Sequence, residues 1–180
     1  IELGTGWNIW STYVAPETPD MASMFSEIVT DIVICKDENG NVYWPVFGLN
    51  NIGNISDAAG YQVKVASDAV LDVTGLLLDP SMEFMIEEGW GIIGYVKTEP
   101  SDAADMMSPV VEDLIIMKDE NGAVYWPAFG LNNIGNMQAD EGYQIKMSAD
   151  GMFAYQSGSG RLGYAEEIRT SYYDAAPNTG

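Results

Sequence analysis

From residue 36 to 54 the chain reads Lys-Asp-Glu-Asn-Gly-Asn-Val-Tyr-Trp-Pro-Val-Phe-Gly-Leu-Asn-Asn-Ile-Gly-Asn. The same string returns from Lys118 to Asn136, changed only where Asn41 is matched by Ala123 and Val46 by Ala128. Each copy is followed by Gly-Tyr-Gln-(Val/Ile)-Lys, at 60–64 and 142–146. A constant offset with this much identity is the mark of a tandem duplication of one folding unit. Whatever fold the chain adopts must be one that 82 residues, the separation of Lys36 from Lys118, can build twice.

The spacing therefore predicts two modules, 1–81 and 82–156, with 157–180 as a linker or the start of a following domain. With 47% apolar residues, each module can bury a core without covalent staples. The charge is lopsided, 27 acidic against 7 basic residues for a formal net charge of −20. Binding to phosphate backbones or to anionic headgroups needs the opposite sign, which argues against nucleic acid and against membrane surfaces. No run reaches the ~18 apolar residues of a membrane span, so membrane insertion is not expected. A polyanionic surface suits salty or divalent-rich water, where self-repulsion is screened. The chain begins with Ile1 and shows no leader, and reads as an internal or processed piece of something longer.

Local patterns predict mostly β structure (an α+β arrangement), each module a small twisted sheet or partly closed barrel with one short helix. Gly6 to Val14 alternates as a strand. Thr18 is placed to cap a helix starting at Pro19, with Met21, Met24, Phe25 and Ile28 as its apolar stripe. Asp31 to Lys36 reads as a strand buried on both faces, and Glu38 to Asn41 as a hairpin turn whose Asn-Gly supplies positive φ. Val42 to Phe47 returns as a strand, with Pro45 marking an edge or bulge. Tyr61 to Ala66 alternates cleanly, with Tyr61, Val63 and Val65 inward and Gln62 and Lys64 outward. Ala69 to Val73 continues the sheet, and Thr74 to Ser81 is the join. Met82 to Ile86 and the segment from Gly89 restart the unit; its helix, at about 102–108, should be shorter because of Pro109. Gly151 to Tyr155 closes it, Gln156 to Gly160 reads as a linker, and the remainder as the edge of a further module.

Catalysis is disfavoured. With no histidine there is no His-based triad or acid/base pair, and with one cysteine there is neither a disulfide nor a zinc site. Cys35 aligns with Met117, which makes it a core position rather than a nucleophile. The carboxylate pairs Asp37-Glu38 and Asp119-Glu120 sit at a hairpin and read as a solvated turn. Asp37, Asn39 and Asn41 alternate like the early ligands of a calcium loop, yet the distal glutamate is missing and Asn41 becomes Ala123. Calcium is thus the one cofactor to test, with diffuse association over the acidic surface the simpler form. Trp44 and Trp126, with the amides Asn50, Asn51, Asn132 and Asn133, are the candidate glycan-binding residues. The competing reading buries both tryptophans in the core and uses the amides to hold loop backbone. Lys64 and Lys146 read as solvated lysines.

With Gly6-Trp7-Asn8-Ile9, Tyr-Trp-Pro and Gly142-Tyr-Gln-Ile-Lys146 in view, the span from Ile1 to Tyr155 resembles a repeat common in very large secreted and surface proteins of marine and gliding bacteria. Its pattern is Gly-Trp-Asn…Gly-Tyr-(Trp/Gln)-(Val/Ile)-Lys, and Gly91 departs from it where Asn8 conforms. The resemblance implies an extracellular or surface-associated, non-catalytic module with neighbouring modules as partners. The expected role is structural or adhesive, in a surface protein or fibre. A carbohydrate-binding module is the alternative, and a virion surface or fibre module the second alternative.

Overall fold

A computed structural model describes residues 1–155, so the expected linker and following domain lie outside the described residues. The fold is mostly β. Its main features are two five-stranded antiparallel sheets with the same strand order. In the first, Gly6–Trp10, Tyr61–Val65, Ile32–Lys36, Val42–Trp44 and Leu49–Asn50 lie side by side. In the second the order is Gly89–Gly94, Gly142–Met147, Leu114–Lys118, Val124–Trp126 and Leu131–Asn132. Registers match as well: Cys35 faces Tyr43 and Val63, as Met117 faces Tyr125 and Ile145. The end strands of each sheet do not pair with each other, so the sheets are open rather than closed barrels.

Alternation sets the buried face. Tyr61, Val63 and Val65 point into one core while Gln62 and Lys64 point out, as their period of two requires. Around them gather Leu3, Trp10, Met21, Phe25, Cys35, Tyr43 and Leu71, with Met24 and Ile28 partly buried at the margin. The second core uses Ile93, Tyr95, Met107, Met117, Tyr143, Ile145, Phe153 and Tyr155. Cys35 is fully buried, and burial pushes its thiol up to about 12, only partly opposed by the Trp10 side chain.

Several local expectations are corrected. The strand 31–36 is not buried on both faces: a bulge between Ile32 and Ile34 turns Val33 outward, and the same irregularity exposes Ile115. The opening strand stops at Trp10, and Val14–Pro16 pairs instead with Gly75–Leu77, inside the expected join. Ala69–Val70 does not extend the main sheet but pairs with Glu2–Leu3. Its counterpart ladder joins Phe84–Ile86 to Gly151–Phe153. The first helix is capped by Asp20, whose carboxylate accepts from Ser23 N–H, and runs Met21–Met24 rather than from Pro19. The second, Ala103–Met107, is capped by Asp102 and is the longer of the two; Pro109 falls in the 3-10 turn that follows, where it displaces no α-helical bond. After Trp44 and Trp126 the chain leaves the sheet through a 3-10 turn headed by Pro45 or Pro127. Gly48 and Gly130 end that turn in the left-handed region.

The two modules are joined by one contact made reciprocally. Glu38 Oε2 accepts the backbone N–H of Ile92 at 3.0 Å, and Glu120 Oε2 accepts that of Ile9 at 2.9 Å. Gly94 N–H donates to Ala58 O at 2.7 Å, while Ser11 N–H donates to Asp140 O at 2.8 Å. Ala58 and Asp140 are the two non-glycine residues with positive φ among those described. The chains approach so closely that a Cβ at Gly60 would lie 2.8 Å from Ile93 O, and one at Gly142 would lie 2.9 Å from Trp10 O. Glycine here permits backbone to meet backbone.

Candidate functional site

Tyr43 and Trp44 are neighbours on one strand, so burying the first turns the second out. Trp44 and Trp126 are each 36% exposed, which corrects the expectation that they fill the core. Each indole meets a phenyl ring edge-on, Phe47 at 4.7 Å and Phe129 at 4.6 Å between centroids. Those phenyl rings are themselves 70% and 72% exposed, so each module carries an aromatic shelf beside its edge strand. The amides behave differently from one another. Asn50 donates to Asp20 Oδ2 and accepts from Gly53 N–H; Asn132 does the same with Asp102 and Gly135. These two tie the loop to the helix cap and have little left for a ligand. Asn51 and Asn133 are exposed, and their backbone N–H groups hold Val42 O and Val124 O.

The calcium-like turn closes on itself. Asp37 Oδ1 accepts from the N–H groups of Asn39 and Asn41, and its Oδ2 accepts from the Asn41 side chain at 2.7 Å. Both oxygens are thereby spent on shaping the hairpin. Among the described residues no group of three acidic, cysteine or histidine side chains is arranged to hold a metal. The adjoining Glu38 and Glu120 are not merely solvated turn residues, since each reaches the other module's backbone. That role depends on contacts 54 and 111 positions apart in the chain.

A second surface lies on the outward faces of both sheets. Trp7 stands opposite Lys64 across the strand pair, and the Lys36 ammonium lies 5.2 Å from the Trp7 ring centroid. In the other module Trp90 stands opposite Lys146, with Lys118 and Lys146 at 5.1 and 5.6 Å from its ring. Both indoles are about half exposed, 51% and 53%. A cavity of about 330 Å³ between the modules is lined by Asp37, Glu38, Gln62, Trp90, Lys118 and Gln144. Lys146 is therefore not simply solvated. The signal was present in the alternation that sends Gln62 and Lys64 outward, because Trp7 pairs with Lys64 on that side.

Electrostatic strain collects at the joint. Burial raises the Glu141 carboxyl, and the nearby Glu120 and Asp119 raise it further against the Tyr143 O–H, which donates to Glu141 Oε2 at 2.6 Å. Burial likewise raises Asp140 and, strongly, Tyr143. Comparison with protein-family models, curated proteins and solved structures gives no match.

Proposed function

We propose that the chain is a non-catalytic structural module, a stiff tandem spacer within a larger extracellular surface protein or fibre. The observation that carries this reading is the reciprocal joint between the modules. Two modules on a free linker swing independently, whereas paired carboxylate clasps and backbone contacts at Gly60 and Gly142 hold these two in one orientation. The absence of histidine and the use of Asp37 by its own turn support the non-catalytic reading. The surface location rests on the repeat resemblance and the polyanionic composition. Stretching single molecules of the chain tests the mechanical part: a spacer gives one rupture releasing both modules together. Two independent low-force events would sink it. Labelling intact source cells with a membrane-impermeant amine reagent tests the location.

The exposed shelves support a second reading, glycan binding at Trp44 and Trp126. Tryptophan edged by phenylalanine offers a flat apolar face of the kind sugar rings stack on. With Asn50 and Asn132 engaged elsewhere, Asn51 and Asn133 are the amides left to accompany it.

A further inference from the structure

The chain carries five described lysines against a formal charge of −20, and four of them, Lys36, Lys64, Lys118 and Lys146, share the outward sheet faces with Trp7 and Trp90. The fifth, Lys97, lies against Met106 instead. Random scatter would dilute these cations among the acids; here they are gathered around two half-exposed indoles. Gln62 and Gln144, equivalent residues of the two modules, meet in the cavity between them. Half-exposed indoles with ammoniums held over their rings, and amides at the centre, are complementary to one chemistry in particular: sugar rings bearing anionic groups.

We propose that this face binds an acidic saccharide chain laid across the joint, from the Trp90 cluster towards the Trp7 cluster. The acids in the cavity fix the arrangement. Asp37 and Glu38 would repel anionic groups at the centre, so hydroxyls belong there, within reach of Gln62, Gln144 and Glu38. Carboxylates belong further out, where Lys118 and Lys146 on one side and Lys36 and Lys64 on the other supply the counter-charge. A saccharide alternating uronic acid with neutral sugar has this order of charged and uncharged groups. The site is separate from the Trp44 and Trp126 shelves, and the inference stands whether or not the tandem is a spacer.

The test is calorimetric titration of the intact chain with a short hyaluronan fragment, in which uronate alternates with a neutral sugar. A neutral cello-oligosaccharide and a densely sulfated heparin fragment serve as comparisons. Binding of the hyaluronan fragment should weaken with salt and fall about tenfold or more in Trp90→Ala and in the Lys118→Gln, Lys146→Gln double variant. Trp90→Tyr should restore most of it. Because Trp90 and the lysines are at least partly exposed, circular dichroism should show these variants folded; should Trp90→Ala fail to fold, the lysine pair decides. No binding overturns the proposal, as does equal affinity for the neutral sugar. Heparin binding indifferent to Trp90 reduces the face to bare charge and also overturns it. A lysine-dependent dimer in sedimentation would identify a second copy of the chain as the occupant instead.

Discussion

The two clasps at the joint are the same contact made twice, yet the residue just before each donating N–H differs. Beside Ile9, the Asn8 side chain is buried and folded onto its own strand entry, accepting from Gly4 N–H and donating to Gly4 O and Gly6 O. Beside Ile92 the equivalent residue is Gly91, and a Cβ there would stand 2.9 Å from Glu38 Oε2. The first module therefore spends a side chain on fixing its strand entry, whereas in the second the missing side chain lets Glu38 Oε2 come close to the Gly91 backbone, beside Trp90 and Gln144 in the cavity. Duplication gives a fold two chances at every position. Where the shared contact depends on backbone and a reaching carboxylate, the residue next to it can diverge without breaking the joint.

The heaviest blow to the comparison should come from the glycines that both halves need. Gly142→Val places its first side-chain carbon against Trp10 O, where overpacking costs about 1–3 kcal/mol or more. Chemical denaturation should then show two separate transitions in place of one, and Gly60→Val should do the same from the other side. A variant that keeps a single unshifted transition would mean that the modules are not coupled through this contact.

Trp44→Ala and Trp126→Ala come next. About a third of each of these tryptophans is open to solvent already, so the expected cost is about 1–2 kcal/mol, chiefly the ring pair with Phe47 or Phe129. Thermal unfolding distinguishes this from the roughly 3–5 kcal/mol that deleting a fully buried tryptophan would cost.

What the chain revealed before its structure, and what it hid, divides along the same line. The hairpin, the Tyr61 to Val65 strand and the Met21/Phe25 stripe were legible because each rests on a period within a few residues. Trp44 was misread because hydrophobicity was weighed above alternation; with Tyr43 inward, period two sends Trp44 out. The helix start was missed because Thr18, Pro19 and Asp20 all fit a first turn; in the structure Asp20 takes the cap, one oxygen accepting from Ser23 N–H and the other from the Asn50 amide. The clasps of Glu38 and Glu120 were beyond reach, since a turn glutamate reads the same whether water or a distant backbone N–H receives it. The Trp7 and Trp90 faces are half legible: alternation sends Lys64 and Lys146 outward, but nothing in the sequence brings Lys36 and Lys118 over the two indoles.

The clasps themselves sharpen the comparison further. Glu120→Ala and Glu38→Ala should each lower stability by about 1–2 kcal/mol, since each deletes a charge-assisted bond at a partly buried site and leaves the N–H of Ile9 or Ile92 without it. Unequal losses, measured side by side in urea, would show that the Asn8 and Gly91 environments weight the contact differently.

The smallest effect is electrostatic. Glu141 has its folded-state value raised, so its ionisation opposes folding, and the opposition sets in as pH rises through that raised value. Acidifying from neutral towards the ordinary carboxylate range should therefore stabilise the joint until other carboxylates protonate. Glu141→Gln should raise Tm by a degree or so at neutral pH and flatten this dependence. A lowered Tm would indicate that the Tyr143 bond outweighs burial.

Each module holds both halves of the joint, the reaching carboxylate and the strand that receives it, so the contact has the self-complementary form of a two-fold dimer interface. Connecting the halves in one chain replaces a bimolecular encounter by an intramolecular one, at an effective concentration of roughly millimolar order for a short connection. The joint can then stay closed at any dilution, because its closure does not depend on protein concentration. The segment from Gly75 to Ser81, pairing back to Val14–Pro16 as it leads into the second module, is the tether that makes the encounter intramolecular.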